Sequence, residues 1–301
     1  LAGLQRKTRK EDRHPPFSKG EVFTASASHT SLVKEGLGMI WLTGDLHGGD
    51  SAWHISSSRF KEGQRGDVVI CLGDLGGVWY QDYHTNEKHR RREDFFLDSQ
   101  LRKRFLWLAV DGNHENFARL FGDEFPLVDI FGGRAYKIRE HVYYLKRGDI
   151  FTIEGQTFLA FGGASSHDRF GAKVRSLSWG RGYDYTLPRK EGIDWWPEEQ
   201  ANQEDYDNAC RNLDAVGWKV DHVITHTCPA SMRRHFLESS NSRKPDPTED
   251  ILESIYKRLT FRTWHLGHFH IDNQVDLFEC HYSRVKPLTW HESDKKQEFE
   301  I

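Results

Sequence analysis

FLWLAVDGNHENF, residues 105–117, decides how the rest of the chain is read. Its six apolar residues, Phe105 to Val110, have the length and continuity of a strand buried on both faces. The run stops at Asp111, Gly112, Asn113, His114 and Glu115, side by side. Gly112 frees the backbone to turn, and Asn and His are hydrogen-bonding groups that can also ligate metal. A tight turn would account for one such cluster. The fold depends on whether other strands end the same way.

They do. MIWL (39–42) runs into TGDLHG, with Asp45 and His47. VVICL (68–72) runs into GDLGG, with Asp74. VIT (223–225) is followed by His226, and TWHL (263–266) by GHFH, with His268 and His270. Glycine immediately precedes the ligand-type residue at four of the five strand ends. Taken singly, Asp-x-His is a turn or cap, GNH a tight turn, and His-x-His two exposed histidines. In an open α/β sheet, however, ligands bind at the carboxyl ends of strands, so five such ends in series converge. Leaving His114 aside, the donors are two Asp, four His and one Asn. That is too many for one tetrahedral ion, and the thiolates of structural zinc are missing. The mixed donor set suits Mn, Fe, Zn and similar ions. Two ions sharing one carboxylate would use all seven donors, and a pair about 3.5–4 Å apart clamps an in-line phosphoryl displacement.

Between the strands lie amphipathic helices. Residues 94–104 carry Phe95, Phe96, Leu97 and Leu101. A second helix opens at Pro197 and places Tyr206, Ala209, Cys210, Leu213 and Val216 at helical spacing. A third starts at Asp246-Pro247 and buries Ile251, Leu252, Ile255 and Leu259. Alternating strands and helices indicate an α/β fold. At 142–162, strands follow one another with turns at Arg147-Gly148 and Glu154-Gly155-Gln156, which reads as antiparallel hairpins and a second or mixed sheet. Residues 1–38 lack a sustained period and are expected to be a flexible extension, basic at Arg6, Lys7, Arg9, Lys10 and Arg13 but interrupted by Glu11 and Asp12. Residues 39–301 are expected to be one catalytic domain with an irregular insert over about 165–197.

Net charge is -3, which disfavours a constitutive nucleic-acid partner. The cysteines, 71, 210, 228 and 280, are far apart, as free thiols of a reducing, cytoplasmic compartment would be. No apolar stretch is long enough to span a bilayer, so no membrane association is expected. The sequence carries no signature of an oligomeric state.

D-x-H, G-D, G-N-H-E, a lone His and G-H-x-H, in this order from Asp45 to His270, resemble the calcineurin-like metallophosphoesterase superfamily. The resemblance implies a two-sheet β-sandwich flanked by helices, α/β/β/α. It implies two divalent ions, with Mn the expected occupant and Fe, Zn, Ni or Co admitted by the same donors. Asp45, His47 and His270 would hold one ion, Asn113, His226 and His268 the other, and Asp74 would bridge them. A hydroxide between the ions would be the nucleophile, and His114 the general acid protonating the leaving oxygen. Glu115 either orients a neighbour or caps a helix over 116–121.

GNHE is the form found in serine/threonine protein phosphatases, but their two arginines have no counterpart here. The second motif is GDLGGVW (73–79), and Asp111 stands before Gly112. The G-H-x-H ending is more similar to phosphodiesterase-type branches, and GGASS…DWWPEEQ…THTCP to bacterial and phage members. The expected substrate is a small or nucleotide-type phosphoester. The alternatives are a protein phosphatase, a nuclease and a catalytically silent metal-binding module; the intact motif residues oppose the last. Arg169, Lys173, Arg175 and Arg181 are candidates for gripping substrate oxygens, against the alternative of solvated loop charges. Trp179, Trp195 and Trp196 either stack a nucleobase or anchor the insert.

Overall fold

The computed structural model describes residues 38–49, 55–56, 60–166, 172–178, 181–187, 189–237 and 246–289. The expected extension 1–38 therefore lies, but for Gly38, outside the described residues. One sheet orders its seven strands β15-β1-β2-β3-β6-β5-β4. Its parallel centre is β1 (Ile40–Thr43), β2 (Val68–Leu72), β3 (Leu106–Val110) and β6 (Val142–Leu145). Antiparallel β5 (Gly133–Arg139) and β4 (Leu127–Ile130) extend one edge, and β15 (Lys286–Pro287) the other. The second sheet runs β13-β14-β12-β11-β8-β7. Its parallel centre is β8 (Gln156–Phe161), β11 (His222–Thr225), β12 (Thr263–Leu266) and β14 (Phe278–Cys280). β7 (Ile150–Ile153) and β13 (Asn273–Val275) close it antiparallel.

Side-chain alternation along each strand sorts the core into three layers. Ile40, Leu42, Val68, Ile70, Leu72, Leu108 and Val110 face inward and meet Phe151, Phe158, Ala160 and Ile224 of the other sheet. Trp41, Val69, Cys71, Trp107 and Ala109 face outward, under Phe96, Leu97 and Leu101. Those three residues follow α1 (Glu87–Phe95), whose ladder loosens into a π-turn over Phe96–Gln100. α2 (Phe117–Leu120) buries Leu120 on the same face. The outer face of the second sheet, with Val223, Trp264 and Leu266, is covered by α3 (Gln203–Ala215) and α4 (Pro247–Tyr256). The result is the expected α/β/β/α sandwich.

Several boundaries differ from the sequence expectation. The first helix starts earlier, at Glu87, because Asn86 caps it by accepting from Lys88 N and His89 N. Proline 197 opens only a single 3₁₀ turn, and α3 begins after a capping box between Asn202 and Asp205. The turn at Arg147-Gly148 is not a hairpin, because β6 and β7 lie in different sheets. Buried Arg147 makes the crossing: it grips Asp111 and Asp205 and donates to the Glu198 and Gln200 carbonyls. Glu154-Gly155 does turn a hairpin, between β7 and β8. Within 165–197 the backbone is partly regular, with β9 (Ala172–Ser178) pairing antiparallel to β10 (Arg181–Leu187). No helix among the described residues is long and apolar enough to cross a membrane.

Candidate metal centre

The five ligand-bearing turns meet at one end of the sandwich seam. Asp45 and His47 follow β1, Asp74 follows β2, and Asn113 and His114 follow β3. His226 follows β11, and His268 and His270 follow β12. One group joins Asp45, His47 and His270, with ligand atoms within 4.8 Å of one another. His270 Nε2 lies 2.8 Å from Asp45 Oδ2 and 3.2 Å from His47 Nε2. A second group joins Asp45, Asp74 and His226. His226 Nε2 stands 3.4 Å from Asp74 Oδ2 and 3.2 Å from Asn113 Oδ1. The His268 ring packs against the His226 ring, centroids 4.9 Å apart, and its backbone N–H donates to Asp45 Oδ1 at 3.1 Å. His47, Asp74 and His114 form a third group, so Asp74 touches both sides.

The backbone is shaped for this approach. His47, Asp74, His268 and His270 all adopt positive φ, between 47° and 66°. Each costs roughly 1–3 kcal/mol and persists only where the surroundings impose it, as at functional sites. Glycine before a ligand has a steric reason. A Cβ on Gly73 would stand 2.0 Å from His226 Nδ1, and one on Gly112 would stand 2.0 Å from Asp74 Oδ1. The strand ends could not meet with any other residue at these two places.

The donors fit a pair of cations. His226 Nδ1 donates to the Leu72 carbonyl at 2.8 Å, which leaves Nε2 as the site-facing nitrogen. Burial disfavours a charge on His226, but the Asp74 carboxylate overrides it, helped by Asp45, and the imidazole is pushed up to about 10. Burial likewise pushes Asp74 up, yet His226, His114 and His47 hold its carboxyl well below the usual range. Asp45 raises His270 as well. The cavity thus favours positive charge. Asp45 Oδ2 is buried without an aligned hydrogen bond, although His270 Nε2 is close. A carboxylate oxygen stranded in this way is a ligand atom in search of a cation.

Ser166 and Glu199 support the centre without having been singled out in the sequence, and Glu115 supports it in one of its two expected roles. Asn113 Nδ2 donates to Ser166 Oγ, and Ser166 is held in turn by buried Glu199. Ser166 follows β8, a sixth apolar strand ending in Gly-Gly, which is the pattern that could have revealed it. Glu115 is not a helix cap: Asn116 caps α2, while the buried Glu115 carboxylate accepts from Gly76 N at 3.4 Å. Burial, with Asp74 adding to it, pushes Glu115 well above the usual carboxylate range. It orients the loop after Asp74, which is the other role open to it.

A cleft of about 640 Å³ opens onto this centre, lined by His47, His114 and His270 beside Trp79, Tyr80, Arg92 and Arg189. The Trp79 ring lies 5.8 Å from that of His114. Buried Glu93 accepts from the Trp79 and Tyr80 amides and is gripped by both guanidinium nitrogens of Arg119, which fixes this aromatic wall. Trp196 is buried and meets Trp79 edge-on, so it anchors the insert. Trp179 and Arg169 lie outside the described residues. Lys173 and Arg175 fall on β9 and Arg181 opens β10.

The sequence profile of calcineurin-like phosphoesterases matches residues 38–272. Among solved structures, phosphopantetheinyl hydrolase from Mycobacterium tuberculosis is similar at 14% identity and a TM-score of 0.38, covering 85% of this chain and 97% of that one. No protein of curated function matches the sequence.

Proposed function

The chain belongs to the calcineurin-like phosphoesterase family, a family of metal-dependent phosphoester hydrolases, and from that premise we propose that it hydrolyses a small organic or nucleotide-type phosphoester. The observation that carries this reading is the cleft. Trp79 and Tyr80 offer flat apolar faces, Arg92 and Arg189 offer positive charge, and the volume is that of a small-molecule site.

Asp45, His47 and His270 would hold one divalent ion, and Asn113, His226 and His268 the other, with Asp74 shared. The separations around His270 and His226 and the stranded Asp45 oxygen support this division. When bound, the ions supply Lewis-acid stabilisation of phosphoryl oxygens and activation of water. The chain's own residues do the rest. His114 is held by its backbone N–H on Asp74 Oδ1 at 2.7 Å, and its ring lines the cleft, where it would hand a proton to the leaving oxygen. Arg92 and Arg189 would orient the anionic substrate, and the aromatic wall would seat its organic group. Manganese is the expected occupant.

The test is a paired rate assay with Mn²⁺-loaded protein on p-nitrophenyl phosphate and bis-p-nitrophenyl phosphate. Turnover of either, lost in His114→Ala, is expected. Faster diester cleavage directs the search to cyclic nucleotides and oligonucleotides, faster monoester cleavage to nucleotides and phosphopeptides. No turnover of either by metal-loaded protein would sink the small-substrate reading.

A further inference from the structure

A second histidine cluster lies apart from the centre described above. His265 on β12, Glu279 directly opposite it on β14, and His281 just beyond β14 bring ligand atoms within 4.8 Å of one another. His265 Nδ1 is 3.1 Å from His281 Nε2, and Glu279 Oε2 is 3.7 Å and 3.6 Å from these two nitrogens. Tetrahedral zinc with bonds of about 2.0–2.1 Å sets its ligands roughly 3.3 Å apart. The three separations bracket that value. Both imidazoles are buried, while the Glu279 side chain is partly exposed and gives the cluster a route to solvent.

The hydrogen-bond chain leading into the cluster fixes the tautomer of His265. His222 Nε2 lies 2.7 Å from Gln156 Oε1, which can only accept, so that nitrogen carries the hydrogen. Burial keeps His222 neutral, at about 4, so its Nδ1 is bare and accepts from the Thr263 hydroxyl at 2.6 Å. With its hydrogen committed there, Thr263 Oγ1 must accept from His265 Nε2 at 2.8 Å. Burial holds His265 neutral too, well below its ordinary range. Its Nδ1 is therefore a bare lone pair, aimed at His281 Nε2 and near Glu279 Oε2. Burial keeps His281 neutral at about 3, and its other nitrogen, Nδ1, has no hydrogen-bond partner among the described residues. Glu279 is oriented from outside by Lys286 on β15, 2.6 Å from Oε1, which leaves Oε2 for the cluster.

We propose that His265 Nδ1, His281 Nε2 and Glu279 Oε2 form a third metal site, suited to zinc and separate from the dinuclear centre. Two imidazoles and a carboxylate are a donor set zinc accepts, and Thr263 is the outer partner that orients a ligating histidine. The site would serve as a brace. The His281 carbonyl packs so tightly on Gly44 that a Cβ there would come within 2.1 Å of it, and Gly44 immediately precedes Asp45. Fixing His281 therefore fixes the turn that presents Asp45. The proposal does not depend on the substrate reading and would stand if that reading failed.

The test counts metal. Full-length protein is stripped with chelator, reloaded with Zn²⁺, desalted and assayed by elemental analysis, with circular dichroism as the check on folding. His281→Gln and Glu279→Gln are each expected to hold one zinc equivalent fewer than the unaltered chain. Glu279→Gln, altered at a partly exposed side chain, covers the case in which His281→Gln fails to fold. Equal zinc in the unaltered chain and in a folded variant would overturn the proposal and leave a hydrogen-bonded histidine pair.

Discussion

Asn113 Nδ2 donates to Ser166 Oγ at 3.1 Å, and Ser166 Oγ donates to Glu199 Oε2 at 2.7 Å. This relay fixes the asparagine amide, so that its oxygen rather than its nitrogen faces His226 Nε2. Ser166→Ala removes the relay without touching a ligand. It should weaken metal binding about 10–100-fold, the usual cost of losing such a partner. Calorimetric titration with Mn²⁺ measures it, and unchanged affinity would show that Asn113 needs no support.

His114 lines the cleft with its ring, while its backbone N–H donates to Asp74 Oδ1, so truncating the ring leaves that backbone anchor intact. His114→Ala should lower kcat by roughly 10²–10⁴ while the metal content stays the same. Loss of bound metal in this variant would instead make His114 a ligand.

Arg92 and Arg189 face the cleft. Arg92→Gln and Arg189→Gln should raise KM about tenfold or more, because a charge-assisted contact to a phosphoester is worth roughly 1.5–3 kcal/mol. Neutralising Arg169, Lys173, Arg175 and Arg181 one at a time is the parallel experiment. A KM effect confined to that set would move the anion-binding role from the cleft wall to the insert over about 165–197.

His222 gives the fold an acid limit. Burial holds it neutral, at about 4, whereas the unfolded chain takes up that proton near 6.5. The unfolded state thus binds more protons between these values. Stability contributed by neutral His222 is complete above about 6.5 and is lost as pH falls toward 4, by at most about 1.4 kcal/mol per unit. Chemical denaturation of metal-stripped protein across pH 4–7 should show this slope, and His222→Gln should reduce it by the His222 share, leaving the part that buried His265 and His281 contribute in the same direction. An equal slope in the variant would leave His222 out of the acid limit and assign it to the other buried histidines.

The strand ends were legible because each carries its signal locally: an apolar run, a glycine and a ligand within a few residues. Asp45, Asp74, Asn113, His226 and His268 sit where that pattern puts them. What escaped was set by contacts between distant residues. Ser166 and Glu199 are 33 positions apart, and nothing local marks either as a partner of Asn113. α1 escaped because EKHRRRED has no apolar stripe; its cap, Asn86, was the available signal. The passage of the chain from one sheet to the other at Arg147 depends on that arginine's burial against Asp111, which hydrophobic periodicity does not encode.

The seven-stranded sheet presents Asp45, His47, Asp74 and Asn113, and the six-stranded sheet presents His226, His268 and His270. Every ion held between these sets would be a rivet through a mechanical joint. Without it, the polar ties across the joint at this end include His226 to the Leu72 carbonyl, the His268 amide to Asp45, and contacts between the would-be ligands themselves, such as His270 to Asp45 and His226 to Asp74. Loading should therefore stiffen the whole molecule. Amide exchange at His268 should slow, and a protease that nicks the stripped chain at the mouth of the seam should lose its foothold.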